Sequence, residues 1–92
     1  MTDRIVKATK KFEKDVALAI QRGKDTKKLK MVIDLLVTNQ SLPQALKDHA
    51  LRGNFREARD LHIEPDWVLI YKRDDEKLQL IRTGTHTDLF GK

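Results

Sequence analysis

The apolar residues of the N-terminal half recur at the spacing of helices. From Phe12 onward, four apolar residues fall at positions i, i+4, i+7 and i+8, which lie on one face of an α-helix. The spacing returns in residues 29–37, and Asn39 and Pro43 end that second pattern. The candidate caps are Thr9 before the first helix, Gly23 after it, and Asp25 or Thr26 before the second. The pattern predicts two helices joined by a short loop, an αα-hairpin.

The C-terminal half changes to runs that are typical of β-strands. These runs are residues 55–63, 67–73 and 78–83, separated by residues 64–66 and by a charged turn at residues 74–76. Three sequential strands with short connections imply an antiparallel meander. In the middle run both alternating sets of side chains are mostly apolar. That strand is therefore predicted to be central, with the helical hairpin covering one of its faces.

Two further segments complete the predicted fold. Residues 4–7 form a candidate short strand, and residues 41–54 form an irregular connection with room for one helical turn. A chain of 92 residues buries roughly 60–65% of its unfolded surface, enough for one modest core. We expect one compact α+β domain over residues 1–92, in which an N-terminal short strand and a helical hairpin pack on a small antiparallel sheet.

The composition excludes several classes of protein. The chain has no cysteine, so it has neither a disulfide framework nor a cysteine-based zinc site, and a reducing compartment is compatible. No run approaches the roughly 18 apolar residues of a membrane-spanning helix, and the N-terminus lacks the apolar segment of a signal peptide. We expect a soluble protein of the cytoplasm.

The positive charge is concentrated in the N-terminal third. The net charge is +5, and residues 1–30 carry ten Lys or Arg against four acids, whereas residues 31–92 carry nine against ten. Such asymmetry is typical of a surface that meets a polyanion, although a solvated helical face is the ordinary alternative. The candidate RNA contacts on the two helices are Lys10, Lys11, Lys14, Lys27 and Lys28.

The histidines lie in the C-terminal half, at loops or strand ends. They are His49, His62 and His86, with Asp66 and Arg82 beside two of them in the sequence. Histidine titrates near neutrality, so histidines beside a carboxylate and an arginine form a plausible acid/base set. A zinc site made of the histidines and Asp66 is disfavoured, because their spacing matches no common zinc motif and Arg82 would repel a dication. No metal or other cofactor is expected.

Four segments, at residues 47–49, 59–71, 82–86 and 89–91, carry a more specific pattern. The sharpest parts are His-x-Glu-Pro-Asp-Trp, which begins at His62, and Arg-Thr-Gly-Thr-His, which begins at Arg82. Together with the order helix, helix, meander, they resemble the YafQ family of the RelE/ParE toxin superfamily over nearly the whole chain. The resemblance implies a RelE-like fold and a type II toxin that cuts mRNA on the ribosome.

The resemblance also implies partners and residue roles. A cognate antitoxin would hold the toxin inactive in a heteromeric complex. The other partners would be mRNA and the 70S ribosome with its 16S rRNA, and no membrane is implied. In the family, the positions that match His49, His62, Asp66 and His86 serve acid/base chemistry, and those that match Arg82 and Phe90 serve phosphate stabilisation and base positioning.

The chemistry of RNA cleavage suits this set. RNA carries its own nucleophile, the 2′-OH, so cleavage needs a base, an acid for the departing 5′-oxygen and a cation facing the phosphate, with no obligatory metal. An aromatic side chain can hold the nucleobase by stacking. Phe90 is the first candidate for that contact. Trp67 is a second, although a tryptophan at the start of a strand is more typical of a core.

Simpler roles are open for several of these residues. His49 could be an exposed side chain without function, Asp66 could fix a turn, and His86 could start a short helix. Asp60 and Glu64 could tune nearby histidines. Ordinary solvated charge at a strand edge is the preferred interpretation of these two acids.

Two other functions suit the same fold. One is a toxin of the ParE branch that binds and inhibits a protein such as gyrase without chemistry. The other is a basic RNA-binding adaptor. Neither needs an acid/base set, so the sequence favours the endoribonuclease, and primer extension on translated mRNA distinguishes the three.

Overall fold

A computed structural model of the chain describes residues 4–38, 40–50 and 58–91. Its elements in chain order are β1 (Ile5–Ala8), α1 (Lys10–Gln21), α2 (Thr26–Val37), a 3-10 turn (Gln44–Leu46), β2 (His49–Ala50), β3 (Arg59–Glu64), β4 (Trp67–Arg73), β5 (Lys77–Gly84) and α3 (His86–Phe90).

The predicted helix caps are confirmed. The hydroxyl of Thr9 accepts a hydrogen bond from a backbone N–H in the first turn of α1 and donates one to the carbonyl of Ile81 at 2.7 Å. Gly23 follows α1 with φ +80°, a left-handed conformation that costs glycine little. Asp25 caps α2 through its own side chain. Thr9 therefore both begins α1 and fastens it to β5.

The α+β architecture is confirmed, with one correction to the sheet. The strand order is β1-β5-β4-β3-β2, and β3, β4 and β5 form the expected antiparallel meander. β1, however, adds to the outer edge of β5 in parallel, with Ile5 opposite Lys77. A parallel pair needs a long connection, and both helices and the meander lie between these two strands in the sequence. The sheet is therefore mixed.

The observed strand limits agree best with the predicted ones where the run of apolar residues is clearest. β4 has the predicted limits, and β5 extends one residue beyond the prediction at each end. β3 begins at Arg59, and residues 55–57 of the predicted strand, like the helix-stop residue Asn39, lie outside the described residues. The short strand β2, at His49–Ala50, was not predicted.

Both faces of β4 are buried, as expected of a central strand. Trp67, Leu69 and Tyr71 pack with apolar residues of α1 and α2, including Phe12 and Leu36. The alternating residues point the other way and pack in a second cluster with a residue of α3; the members are Val68, Ile70, Ala58 and Leu89. The sheet thus has a helical face, covered by α1 and α2, and an opposite face, on which α3 lies.

Among the described residues, the helices are too short and too polar for any of them to cross a bilayer.

Candidate active site

Three histidines from different elements form a cluster, and they are called the histidine cluster below. The ring centroid of His62, on β3, lies 6.5 Å from that of His49 on β2 and 5.3 Å from that of His86 on α3. The ring of Phe90 is 6.0 Å from the ring of His86. The structure therefore brings together residues that are up to 41 positions apart, from His49 to Phe90.

The pairing of the strands places this cluster on the face opposite to α1 and α2. His62 pairs with Val68, and Val68 pairs with Gly84 at the end of β5, so three strands align in one line across the sheet. On β3, Leu61 belongs to the cluster under the helices. Because side chains alternate along a strand, His62 points to the other face.

Helix α3 presents His86 in its first turn. Thr85 and Asp88 form a capping box, in which each side chain accepts a hydrogen bond from the other's backbone N–H at 3.1 Å. Arg22, the C-cap residue of α1, donates to the carboxylate of Asp88 at 2.6 Å, and this bond, together with that from the N–H of Thr85, lowers the pKa of Asp88 to about 2. A Cβ at Gly84 would lie 3.1 Å from the Asp88 side chain, so glycine suits this close approach.

Asp66 orients the imidazole of His86. Its Oδ1 accepts a hydrogen bond from the backbone N–H of His86 at 3.2 Å and lies 3.1 Å from Nδ1 of the same residue. The hydrogen bonds to His86 lower the pKa of Asp66, whose side chain is 69% exposed. A carboxylate that is ionised only accepts, so Nδ1 of His86 is the donor in this hydrogen bond.

His49 meets a different kind of carboxylate. Its Nε2 lies 2.8 Å from Oδ1 of Asp60, which is only 3% exposed. The contact lacks good hydrogen-bond geometry, so among the described residues that buried oxygen has the His49 ring as its neighbour and no hydrogen bond. Burial raises the pKa of Asp60, although the three histidines act in the opposite direction. The other ring nitrogen, Nδ1, donates to the carbonyl of Lys47 at 2.8 Å.

The sequence analysis missed Asp60, because solvated strand-edge charge was the preferred interpretation and the side chain is buried. Asp60 and His62 are two residues apart on one strand and therefore share a face, which was the available signal. For Glu64 the structure shows a different partner. Its carboxylate binds Lys24 at 3.3 Å and Lys28 at 2.8 Å, and these bonds lower its pKa.

The segment before His49 is held by a partly buried acid, Asp48. Asp48 accepts hydrogen bonds from the guanidinium of Arg59, at 2.8 Å from Nη2, and from the hydroxyl of Tyr71. Burial alone would raise the pKa of Asp48, but these hydrogen bonds lower it. The pKa of Tyr71 is raised by burial and by the same contact. The Asp48 bonds thus fix the backbone that leads into β2.

Arg82 is tied to helix α1. Its Nε and Nη2 donate to the two carboxylate oxygens of Asp15, each at 2.9 Å, and these bonds raise the pKa of Arg82. β1 ends at Ala8, opposite Leu80, so α1 can reach the part of β5 that β1 leaves uncovered. Among the described contacts, Arg82 is therefore joined to Asp15 and not to the histidine cluster.

The two aromatic candidates occupy different environments. Trp67 is 1% exposed in the core beneath the helices, so its proposed contact with RNA was wrong: a buried ring offers no face to a base. Lys24 lies over this ring, with Nζ 5.8 Å from the centroid. Phe90 is partly buried against the second cluster and beside His86, at the site.

The candidate RNA-binding lysines lie on α1 and α2, on the helical face. Lys10, Lys11, Lys14 and Lys27 are exposed. Lys28 is also exposed but is paired with Glu64. The lysines and the histidine cluster therefore lie on opposite faces of the sheet.

A search of the described residues for three or more His, Cys, Asp or Glu side chains able to hold one metal ion found no such group.

Comparisons of sequence place these features among known proteins. A family model described as "Bacterial toxin of type II toxin-antitoxin system, YafQ" matches residues 4–91. The mRNA interferase toxin YafQ of Escherichia coli K12 is 48% identical over 92 residues, which span 99% of this chain and 100% of that protein. A putative toxin YafQ of Haemophilus influenzae is 32% identical over 89 residues, which span 89% and 87% of the two chains.

Comparisons of structure agree. A chain in the crystal structure of the E. coli DinJ–YafQ toxin–antitoxin complex matches with a TM-score of 0.90 and 48% identity, over 97% of this chain and 99% of that one. A metal-bound toxin from Helicobacter pylori matches with a TM-score of 0.88 and 36% identity, over 95% and 99% of the two chains. Sequence and backbone are thus similar to the same group of proteins.

Proposed function

Because this chain belongs to the YafQ family of bacterial type II toxins, we propose that it is an endoribonuclease that cuts mRNA on the translating ribosome. mRNA cleavage is the activity in the name of the E. coli relatives, which are 48% identical. The structural observation that supports the proposal is the histidine cluster, which has a carboxylate beside His49 and another beside His86.

The reaction begins at the ribose. A base removes the proton of the 2′-OH, the 2′-oxygen attacks phosphorus, and the bond from phosphorus to the 5′-oxygen breaks as an acid protonates that oxygen. The products are a 2′,3′-cyclic phosphate and a 5′-hydroxyl. Neighbouring imidazoles of the histidine cluster supply the two proton-transfer groups. The roles of base and acid are assigned to the cluster as a whole and not to single histidines.

The other site residues support these proton transfers. Asp66 holds His86 with Nε2 towards the substrate, and Asp60 faces His49 with a buried oxygen. Arg82 stabilises the charge that grows on the phosphate, as a fixed cation does in other transition states. Phe90 packs against the nucleobase at the cut.

The proposed partners follow from this activity. The toxin acts in the cytoplasm, where ribosomes hold mRNA, and a cognate antitoxin binds it there, as DinJ binds YafQ in the E. coli complex. The exposed lysines of α1 and α2 contact 16S rRNA through its phosphates. They lie on the face opposite to the histidine cluster, so the toxin would be held on rRNA from one side while it cuts mRNA on the other.

The test is cleavage of a defined mRNA on purified 70S ribosomes, read by primer extension and by analysis of the new ends. We expect cuts only when toxin, ribosome and mRNA are together, with a 5′-hydroxyl downstream and a 2′,3′-cyclic or 3′-phosphate upstream. Free mRNA is the control. A 5′-phosphate would contradict the mechanism, and equal cutting of free mRNA would contradict ribosome dependence.

The same assay tests whether a metal takes part in the reaction. The question arises because the H. pylori relative is described as a metal-bound toxin. Toxin that has been treated with EDTA and returned to ribosome buffer should cut at an unchanged rate, because the 2′-OH mechanism needs no metal. A rate that falls after this treatment and recovers only with a transition metal would contradict the mechanism.

A further inference from the structure

Asp15 is a partly buried acid whose described hydrogen bonds all reach the strand that carries Arg82. It lies on α1, and its side chain is 11% exposed. Its carboxylate accepts three hydrogen bonds: two from the guanidinium of Arg82, at 2.9 Å each, and one from the backbone N–H of Thr83 at 3.2 Å. A loosely paired surface acid would not be held in this way.

The geometry of this pair leaves part of the guanidinium available. An arginine has five N–H donors in one rigid plane. Asp15 occupies one donor on Nε and one on Nη2. Among the described contacts three donors remain, and the side chain of Arg82 is still 27% exposed. Asp15 therefore fixes the plane of the cation by one edge and leaves donors free for a phosphate.

A second pair keeps the neighbouring acid from competing for Arg82. The negative charge of Asp88 is near enough to contribute to the raised pKa of Arg82. Asp88, however, is engaged by Arg22, the C-cap residue of α1, and by the N–H of Thr85. Asp15 thus holds Arg82, and Arg22 holds Asp88. His86 lies in the segment between Arg82 and Asp88.

We propose that Asp15 is a positioning residue for mRNA cleavage, which holds the guanidinium of Arg82 in the orientation that meets the scissile phosphate. The inference rests on the proposed role of Arg82 in the reaction. Positioning matters because a cation that can rotate freely must be ordered during the reaction, and a small displacement from the productive geometry is costly in rate.

The test is Asp15→Asn in single-turnover cleavage at saturating ribosomes. The amide oxygen of asparagine can still accept from Thr83, but its NH2 faces guanidinium donors, so the bidentate pair is lost. We expect a rate roughly 10-fold or more below wild type, with an unchanged ribosome concentration for half-maximal cleavage. Glu13→Gln is the matched control, because it removes the same charge from an exposed position of α1 and should cut normally.

A double-mutant cycle separates positioning from a purely structural role. Arg82→Ala should cut roughly 10²–10³-fold more slowly than wild type, and adding Asp15→Asn should slow it no further, because Asp15 acts through Arg82. Equal losses from Asp15→Asn with and without Arg82 would show a structural role and overturn the inference. So would a normal rate for Asp15→Asn beside a slow Arg82→Ala.

A failure of the proposed function would give a different experimental result from a failure of this inference. If Arg82→Ala itself cuts normally, Arg82 has no part in the reaction and the premise is lost. Thermal unfolding shows whether Asp15→Asn folds. If it does not, Asp15→Glu takes its place, because it keeps the charge and moves the carboxylate by one methylene. A slowed rate at wild-type melting temperature is then expected, and a normal rate would overturn the inference.

Discussion

The two histidine–aspartate pairs of the site look alike in distance and differ in environment. His49 Nε2 is 2.8 Å from Asp60, and His86 Nδ1 is 3.1 Å from Asp66. The side chain of Asp60 is 5% exposed and burial raises its pKa, whereas that of Asp66 is 69% exposed and hydrogen bonds from His86 lower its pKa.

The difference shows that the same two residue types can behave oppositely, because burial dominates at Asp60 and hydrogen bonds from His86 dominate at Asp66. Near neutrality Asp66 is an ordinary ionised acceptor that fixes one tautomer of His86. Asp60 is a carboxyl group whose ionised form is disfavoured by burial, which raises its pKa. Burial therefore distinguishes the pair at Asp60, and hydrogen bonding distinguishes the pair at Asp66.

The largest expected effect comes from removing the histidine of each pair in turn. His86→Ala and His49→Ala should each lower the single-turnover rate, by about 10²–10⁴-fold if the residue moves a proton in the reaction. Ribosome affinity should stay the same, measured by co-sedimentation. A variant that binds and cuts normally would remove its pair from the chemistry, and the comparison would then describe one catalytic pair and one structural pair.

The next effect separates the two carboxylates. Asp60→Asn should lower the rate roughly 10-fold or more, because no water can replace a buried partner. Asp66→Asn should cost less, because water reaches this exposed site and the pair is screened. Single-turnover rates at saturating ribosomes give both numbers. If Asp66→Asn is the slower variant, exposure is a poor guide to the importance of these acids.

A smaller effect concerns the support of each histidine. His86 sits on a helix of five residues whose cap is Thr85, whereas His49 sits on a strand paired with β3. Thr85→Ala should lower the free energy of unfolding by about 1 kcal/mol, the usual cost of losing an N-cap. Denaturant unfolding measures it, with Thr26→Ala, an exposed position at the start of α2 whose cap is Asp25, as the control. Equal losses from both variants would mean that the cap contributes nothing.

The smallest effect is a difference in how stability depends on pH. The pKa of Asp60 is raised above 3.8, so the folded state binds more protons than the unfolded state between 3.8 and the raised value. In that window the stability of wild type should fall, as pH rises, relative to Asp60→Asn. The pKa of Asp66 is lowered below 3.8, so its contribution is present above 3.8 and is lost as pH falls through the lowered value.

These opposite slopes can be measured by urea unfolding of wild type and both variants across the acid range. Parallel pH profiles for the two variants would contradict the assignment of one buried and one solvated carboxylate.

The features that local patterns determine could be predicted from the sequence. Thr9 and Gly23 mark the ends of α1 because capping depends on nearby backbone groups. The limits of β4 followed from a run that is apolar on both faces. The grouping of His49, His62 and His86 was expected from the motifs.

The features that tertiary contacts determine could not be predicted from the sequence. The burial of Asp60 depends on the packing of β3 between β2 and β4, and the partner of Arg82 is Asp15, on another element and far away in the sequence. Trp67 shows the same limit, because the same motif position suits a core residue and a stacking residue. Only the packed sheet shows that its indole lies beneath the helices.

The parallel pairing of β1 with β5 bears on how the protein folds. Ile5 pairs with Lys77, and Thr9 bonds to Leu80 and Ile81, so β1 and the start of α1 are held only once β5 has joined the sheet. Contacts between such distant residues form slowly, because the loop between them must be ordered first. Arg82 and His86 lie just beyond these contacts. A chain in which β1 has not yet paired with β5 would therefore lack part of the support of the strand that carries Arg82 and leads to His86.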